Sequence, residues 1–167
     1  MTNWVLLLFF ILISAWYLTF TATRLDRLHH RVETSWANLD VLLQKRAAVA
    51  LEIAHSDIAD PASSMLLTAA AYQAREANIV ERSDAEIALS QSLDLILSDE
   101  IAAPSGIDTG LLDSLKSLTE KISVGITIHT EAVTSAQKLR NRSLFKIFRL
   151  AGHAPLPMRY AFEDDIL

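Results

Sequence analysis

Hydrophobic and polar positions along this chain follow two different regimes. From Trp4 to Thr23 no side chain is charged, and the run opens Trp4-Val-Leu-Leu-Leu-Phe-Phe-Ile-Leu-Ile13. About 20 residues rising about 1.5 Å each span roughly 30 Å, the thickness of a bilayer's hydrocarbon core. A transmembrane helix over residues 1–23 is therefore predicted. The rival is a cleaved secretory signal. Against it stand the absence of Lys or Arg before the apolar run, the length of that run, and the lack of an Ala-x-Ala site after it. Trp4 and the pair Trp16-Tyr17 are candidates for interfacial anchors, although Trp16 lies deep enough for a packed or lipid-facing role.

Beyond Thr23 the apolar period changes to three and four. Leu25, Leu28, Val32, Trp36, Leu39, Leu43, Ala50 and Ile53 lie on one face of a helix, with Arg46 interrupting the stripe. This helix continues the anchor to about Asp57. Asp60-Pro61 is a start signal, a capping acid before a proline at the first helical position, and it opens a second helix from Pro61 to about Val80. Ser83-Asp-Ala-Glu86 has the form of a capping box and predicts a third helix from Asp84 to about Ile101. One rod in place of helices 2 and 3 is the alternative. Residues 102–108, with Pro104 and Gly106, form a loop. A fourth helix starts near Thr109 and carries Leu111, Leu115, Leu118, Ile122, Ile126, His129, Val133 and Ala136 on one face. It ends near Leu150, ahead of Gly152 and Pro155-x-Pro157.

Four helices on short loops predict an all-α fold, with the N-terminal transmembrane helix followed by an antiparallel up-and-down bundle in which helices 1 and 4 are long. The domain reading is an anchor over 1–23, a helical bundle over 24–151, and an irregular acidic tail over 152–167 that includes Glu163-Asp-Asp165.

The charges sort along this path. Arg24, Arg27 and Arg31 follow the apolar run at once, which by the positive-inside rule places everything after it in the cytoplasm and the N-terminus outside the plasma membrane. Lys138, Arg140, Arg142, Lys146 and Arg149 form a basic run with no acid between Glu131 and Glu163. In the four-helix path this run returns to the bilayer. Glu52, Asp57, Asp60, Asp99, Glu100, Asp108 and Asp113 gather at the far end. An anionic inner leaflet attracts the basic pole, so the charges favour four helices over three.

Composition narrows the function classes. The net charge is −5, which argues against a nucleic-acid partner. The chain has no cysteine, which excludes disulfides, thiolate metal sites and a cysteine nucleophile. Gly and Pro number four each, as suits a helix bundle.

Several of these positions also form a recognisable pattern. Leu25, Leu28, Val32, Trp36-Ala37, Asp40, Leu43 and Lys45-Arg46 occur behind an N-terminal apolar segment. With them go Ala74-Arg75-Glu76-Ala77, Ala132-Val133, and a closing Gly152, Pro155, Pro157 and Phe162-Glu163. In this order they resemble the LemA family across essentially the whole chain, with Trp-Ala-x-x-Asp and the C-terminal ending carrying most of the likeness. The resemblance implies a membrane-anchored bundle of four antiparallel helices with no established enzymatic activity or cofactor. The chain departs from the family at His129-Thr130, where Tyr-Asn is usual, and at Val49-Ala-Leu-Glu52, where Ile-Pro-Asn-Leu is usual. A partner touching those positions would differ here.

Candidate residues fall into two groups. Trp36 and Asp40 lie one turn apart on a helix face. They are either a recognition patch or a core indole beside a carboxylate paired with a base, and the second is the expectation. Arg46 is either the buried partner of an acid such as Glu76 or a stripe-edge arginine with its head in water, again with the second expected. His129, on the helix 4 stripe, is expected to be a satisfied core histidine. His29, His30, His55 and His153 make no helix-spaced metal motif, and no phosphate-cradling loop or nucleophile elbow occurs. The second group is Arg24, Arg27 and Arg31 together with Arg142, Phe145, Lys146, Phe148 and Arg149. Basic residues alternating with aromatics near a helix end predict contact with the membrane surface or with another membrane protein.

The functional expectation is a non-enzymatic scaffold or accessory subunit without a cofactor, in contact with the bilayer and with another membrane or membrane-associated protein. The alternatives are an anionic-lipid surface sensor, and an enzyme or enzyme regulator with a site around Asp40, Arg46 or His129.

Overall fold

No glycine or proline occurs before Pro61, so nothing in the first third of the chain interrupts a helix cheaply. The computed structural model, which describes residues 2–56, 60–102 and 109–141, accordingly has one unbroken helix α1 over Thr2–Ala54. Three more follow: α2 over Pro61–Glu76, α3 over Arg82–Ala102 and α4 over Thr109–Arg140. There is no strand among the described residues.

The ends of these helices show how local chemistry sets them. At the close of α1 the His55 Nδ1 meets the Leu51 carbonyl at 2.6 Å, and the Ser56 hydroxyl donates to the Ile53 carbonyl at 2.6 Å. Two of the carbonyls that a helix end leaves open are thereby satisfied. Asp60 caps α2 as its sequence predicts, accepting from the Ala62 N–H at 3.0 Å, with Pro61 in the first turn.

The next boundary differs from the sequence expectation. Helix α2 stops at Glu76 rather than near Val80, because Ala77 turns extended (φ −57°, ψ 129°). Asn78 then accepts from the Val80 and Glu81 N–H groups at 2.9 and 3.2 Å. Asn78, not Ser83, does the capping, and α3 begins at Arg82 rather than Asp84. Helices 2 and 3 are thus separate. The expected continuation of the fourth helix to Leu150 and the tail over 152–167 lie outside the described residues.

The described residues form two units. One comprises Trp36–Ile128. Its core draws Ala47, Ala50 and Ile53 from α1, Leu67, Ala70, Ala71 and Ala74 from α2, Ala85, Leu89, Leu93 and Ile96 from α3, and Leu115 from α4. The many buried alanines let helix backbones approach closely. A second cluster in this unit packs Leu39, Leu43 and Ile122, with Trp36, Leu42 and Ile126 against them.

The other unit joins the first part of α1, up to Ser35, to the end of α4 from His129. Its packing centre is small: Leu25 and Leu139, with Leu28 against them. Further along the apolar run the side chains face outward. Every residue from Trp4 to Ile13 is exposed, from 49% at Ile13 to 79% at Trp4. The hydroxyls of Thr19, Thr21 and Thr23 donate to the carbonyls of Ala15, Tyr17 and Thr19 at 2.9, 2.7 and 2.9 Å. The polar atoms of these threonines are therefore satisfied within the helix itself.

Candidate functional site

Two arrangements concentrate charge. The first lies inside Trp36–Ile128, where α1 crosses the start of α3. Helix α3 opens with Arg82, Glu86 and Ser90, one turn apart and facing inward. On α1, Asp40 and Arg46 face them. Arg82 Nη2 pairs with Asp40 Oδ1, and its Nη1 donates to the Ala74 carbonyl at 2.6 Å. One guanidinium thus holds α1 to α3 and also satisfies a carbonyl in the last turn of α2. Gln44 adds a bond from α1 to the Arg75 carbonyl at 3.1 Å.

One and a half turns further along α1, Arg46 Nη2 donates to the Ser90 hydroxyl at 2.7 Å, and Nη1 lies 3.4 Å from Glu86 Oε2. The Ser90 hydroxyl in turn donates to the Glu86 backbone carbonyl at 3.0 Å. Glu86 is completely buried and Arg46 is 5% exposed. Burial pushes the Glu86 carboxyl up to about 7, against the attraction of Arg46 and Arg82. Burial likewise pulls the Arg46 guanidinium below its ordinary value, against Glu86 and Asp94. For both partners desolvation outweighs attraction. Such a pair contributes little net stability.

This corrects the sequence expectation for Arg46. It is sealed in the interior rather than snorkelling from the stripe edge, and its acid is Glu86, not Glu76, which is exposed. Trp36 and Asp40 share a helix but do different things: the indole half-covers the Leu39, Leu43 and Ile122 cluster, while Asp40 pairs with Arg82. Sequence alone marks neither Arg82 nor Ser90, and it reads Glu86 only as part of a capping box. Their signal is an i, i+4, i+8 polar row beside the apolar row Ala85, Leu89, Leu93.

The second arrangement lies in the unit that contains the apolar run. Here His129 is buried, with Nδ1 3.0 Å from the Ser35 hydroxyl, which itself donates to the Val32 carbonyl at 2.8 Å. Since the hydroxyl proton is committed to Val32, His129 Nδ1 carries the proton donated to Ser35. Burial holds the imidazole below its usual pKa, so it is neutral at pH 7. Two turns toward the end of α4, a cleft of about 500 Å³ opens. Arg24, Arg27 and Arg31 line it from α1, and Ser135 and Lys138 line it from α4, over a floor of Leu28 and Leu139. The sequence grouping of the three arginines is thus a spatial one, and Lys138 joins them. Arg142, Phe145, Lys146, Phe148 and Arg149 lie outside the described residues.

Among the described residues no group of three or more His, Asp or Glu side chains is placed to hold a metal ion. The charged side chains described thus form two arrangements, ion pairs between α1 and α3 and an open cationic cleft beside an apolar helix. No family model matches the chain, and no curated protein or solved structure is significantly similar to it.

Proposed function

We propose that the protein is a single-pass, membrane-anchored scaffold or accessory subunit without enzymatic activity or cofactor. In this reading residues 1–23 span the plasma membrane, and the remaining helices form an antiparallel up-and-down bundle that docks a partner protein at the cytoplasmic face. The observation that carries it is the uncovered apolar run. Leaving a large apolar side chain in water rather than burying it costs about 1.5–3 kcal/mol. Ten such residues, Trp4 to Ile13, together exceed the roughly 5–15 kcal/mol by which an ordinary domain is stable. The helix is also long and apolar enough to cross a bilayer. A lipid environment removes the cost, and the internally bonded threonine hydroxyls suit one.

Other features support the finer parts of the reading. Ser35 meets His129 while Leu25 meets Leu139, a pairing in which numbers rise on one helix as they fall on the other, as antiparallel helices require. Arg24, Arg27 and Arg31 after the apolar run argue for a cytoplasmic bundle. The residues resembling the LemA family point to the same architecture. The buried Arg46, Arg82 and Glu86 and the half-buried Asp40 pair with one another, which favours a structural over a catalytic role. On α2, by contrast, Met65 and Tyr72 are 74% and 50% exposed and lie seven residues apart on one face, a surface suited to a protein partner.

The test is purification of the full chain in mild detergent after cross-linking in cells, followed by mass spectrometry. A reproducible partner lost on Met65→Glu/Tyr72→Glu substitution supports the proposal. A solitary monomer across several detergents and cross-linkers contradicts it.

A further inference from the structure

The cleft between α1 and α4 has a more specific use than general attraction to a charged surface. Arg24, Arg27 and Arg31 sit at i, i+3 and i+7, so one face of α1 presents three guanidinium groups around Leu28. Lys138 and Ser135, three residues apart on α4, close the opposite side. All four cations are exposed, and none has an ion-pair partner among the described residues. No carboxylate lines the cleft. Four positive groups lining one cleft repel one another, and among the described residues no acid pairs with them. An anion is the missing component.

The position of the cleft says which anion. Arg24 is the first charged residue after the uncharged run ending at Thr23, and Arg31 lies about 10 Å further along the helix axis. Helical side chains lean toward the N-terminus, so Arg27 and Arg31 reach back toward the apolar segment. The floor of Leu28 and Leu139 lowers the local dielectric beneath the charges and offers an apolar surface to glycerol and the first acyl carbons. A volume of about 500 Å³ lies within the ordinary range of small-ligand sites, about 300–1,000 Å³. A soluble anion would satisfy the charges alone; a lipid satisfies charges, floor and position together.

We propose that this cleft is a headgroup site for an anionic phospholipid, with the phosphate held by Arg24, Arg27, Arg31 and Lys138 and a further hydrogen bond from the Ser135 hydroxyl. The inference rests on the membrane-anchored reading above. It adds a defined site to that reading: the lipid is a component of the α1–α4 joint rather than a surrounding solvent.

The experiment is native mass spectrometry of the full chain in neutral detergent, titrated separately with phosphatidylcholine, phosphatidylglycerol, cardiolipin and inorganic phosphate. Phosphatidylglycerol should bind at least tenfold tighter than phosphatidylcholine, and cardiolipin, with two phosphates, tighter still. A juxtamembrane cation contributes about fivefold in affinity, so Arg27→Gln/Arg31→Gln/Lys138→Gln should weaken anionic binding about a hundredfold. Lys138→Gln alone should weaken it about fivefold, and serves where the triple variant loses its helical circular dichroism. Lys45→Gln/Lys121→Gln, in a second cleft of the other unit, should leave it unchanged. Equal binding of the two one-phosphate lipids overturns the proposal. So does equal loss from the Lys45/Lys121 control, or displacement of lipid by equimolar inorganic phosphate. Alkaline carbonate extraction of wild-type membranes separates the two levels. Release into the soluble fraction defeats the anchor and the lipid site with it, whereas retention without anionic preference defeats the site alone.

Discussion

Replacing Glu86 by Leu tests whether the buried charges fix helix register at a cost in stability. In the folded protein the Glu86 carboxyl titrates near 7, raised from 4.5 by burial. The folded state therefore holds this proton more tightly than the unfolded state does. The resulting stabilisation is complete below about pH 4.5 and is lost as pH rises through about 7. At about 1.4 kcal/mol per unit the loss is about 3 kcal/mol across that window. Glu86→Leu should erase this slope. It also leaves the Arg46 guanidinium buried without its acid, which costs roughly 3–5 kcal/mol at neutral pH, a fall of roughly 6–20 °C in Tm for a chain of this size. Arg46→Met/Glu86→Leu should recover that loss, ending neutral to about 4 kcal/mol more stable than wild type, because two apolar side chains replace two desolvated charges. The assay is thermal unfolding of the full chain in detergent, followed by circular dichroism at pH 5 and pH 8, with each variant subtracted from wild type so that other titrating groups cancel. A double variant no more stable than Glu86→Leu, or a pH slope surviving in Glu86→Leu, would refute the reasoning.

Four further outcomes follow from particular contacts. Gly125 lies in α4 where an added Cβ would meet Leu39 Cδ1 at 3.2 Å and Leu42 Cδ1 at 3.7 Å; Gly125→Ala should fall within about 1 kcal/mol of wild type by chemical denaturation, its helix-propensity gain offset by the tight contact, while Gly125→Val should cost about 2 kcal/mol. Ser35→Ala removes the acceptor of the His129 Nδ1 proton and should destabilise by about 1–3 kcal/mol in the same assay. His129 itself has a folded pKa below its usual value, so it contributes stability that is present above about pH 6.5 and is lost as pH falls, opposite in sign to Glu86; NMR titration of its ring carbons should place its midpoint below the usual histidine value. Asp60→Ala should lower Tm modestly by removing the bonds to the Ala62 and Ser63 N–H groups, and in wild type this cap should weaken as acid protonates a carboxyl held below its usual value chiefly by its side-chain hydrogen bond with Ser63.

The elements legible in the sequence are those whose signals are local. A proline-and-acid start at Asp60-Pro61 and the apolar stripe on α1 each need only their own neighbours, and both helices begin or run where the pattern places them. The junction of α2 and α3 differs from its sequence pattern because two local signals compete there. Ser83-Asp-Ala-Glu86 has capping-box spacing, but Asn78 stands earlier and accepts two N–H bonds, leaving Glu86 free to face inward. A glutamate at that spacing reads the same whether it caps its own helix or pairs with an arginine 40 residues earlier in the chain. Only the packing of α1 on α3 separates the two. For the same reason Arg46 read as a stripe-edge residue: the interior acid that lets it stay buried lies on another helix. The cationic cleft is half visible in the sequence, since Arg24, Arg27 and Arg31 form a row on one helix and the four-helix path returns the run from Lys138 to the same end; that Lys138 itself faces them follows from the pairing of Leu25 with Leu139.

The proposed membrane topology requires the apolar segment to remain attached and embedded, with the later helices on the inner side. Protease applied to intact cells and, in parallel, to inside-out membrane vesicles reads this directly when the protein carries a C-terminal epitope. The full-length chain should survive in intact cells and be cleaved beyond Arg24 in the vesicles. Cleavage in intact cells, or a mature chain lacking residues 1–22, would contradict it.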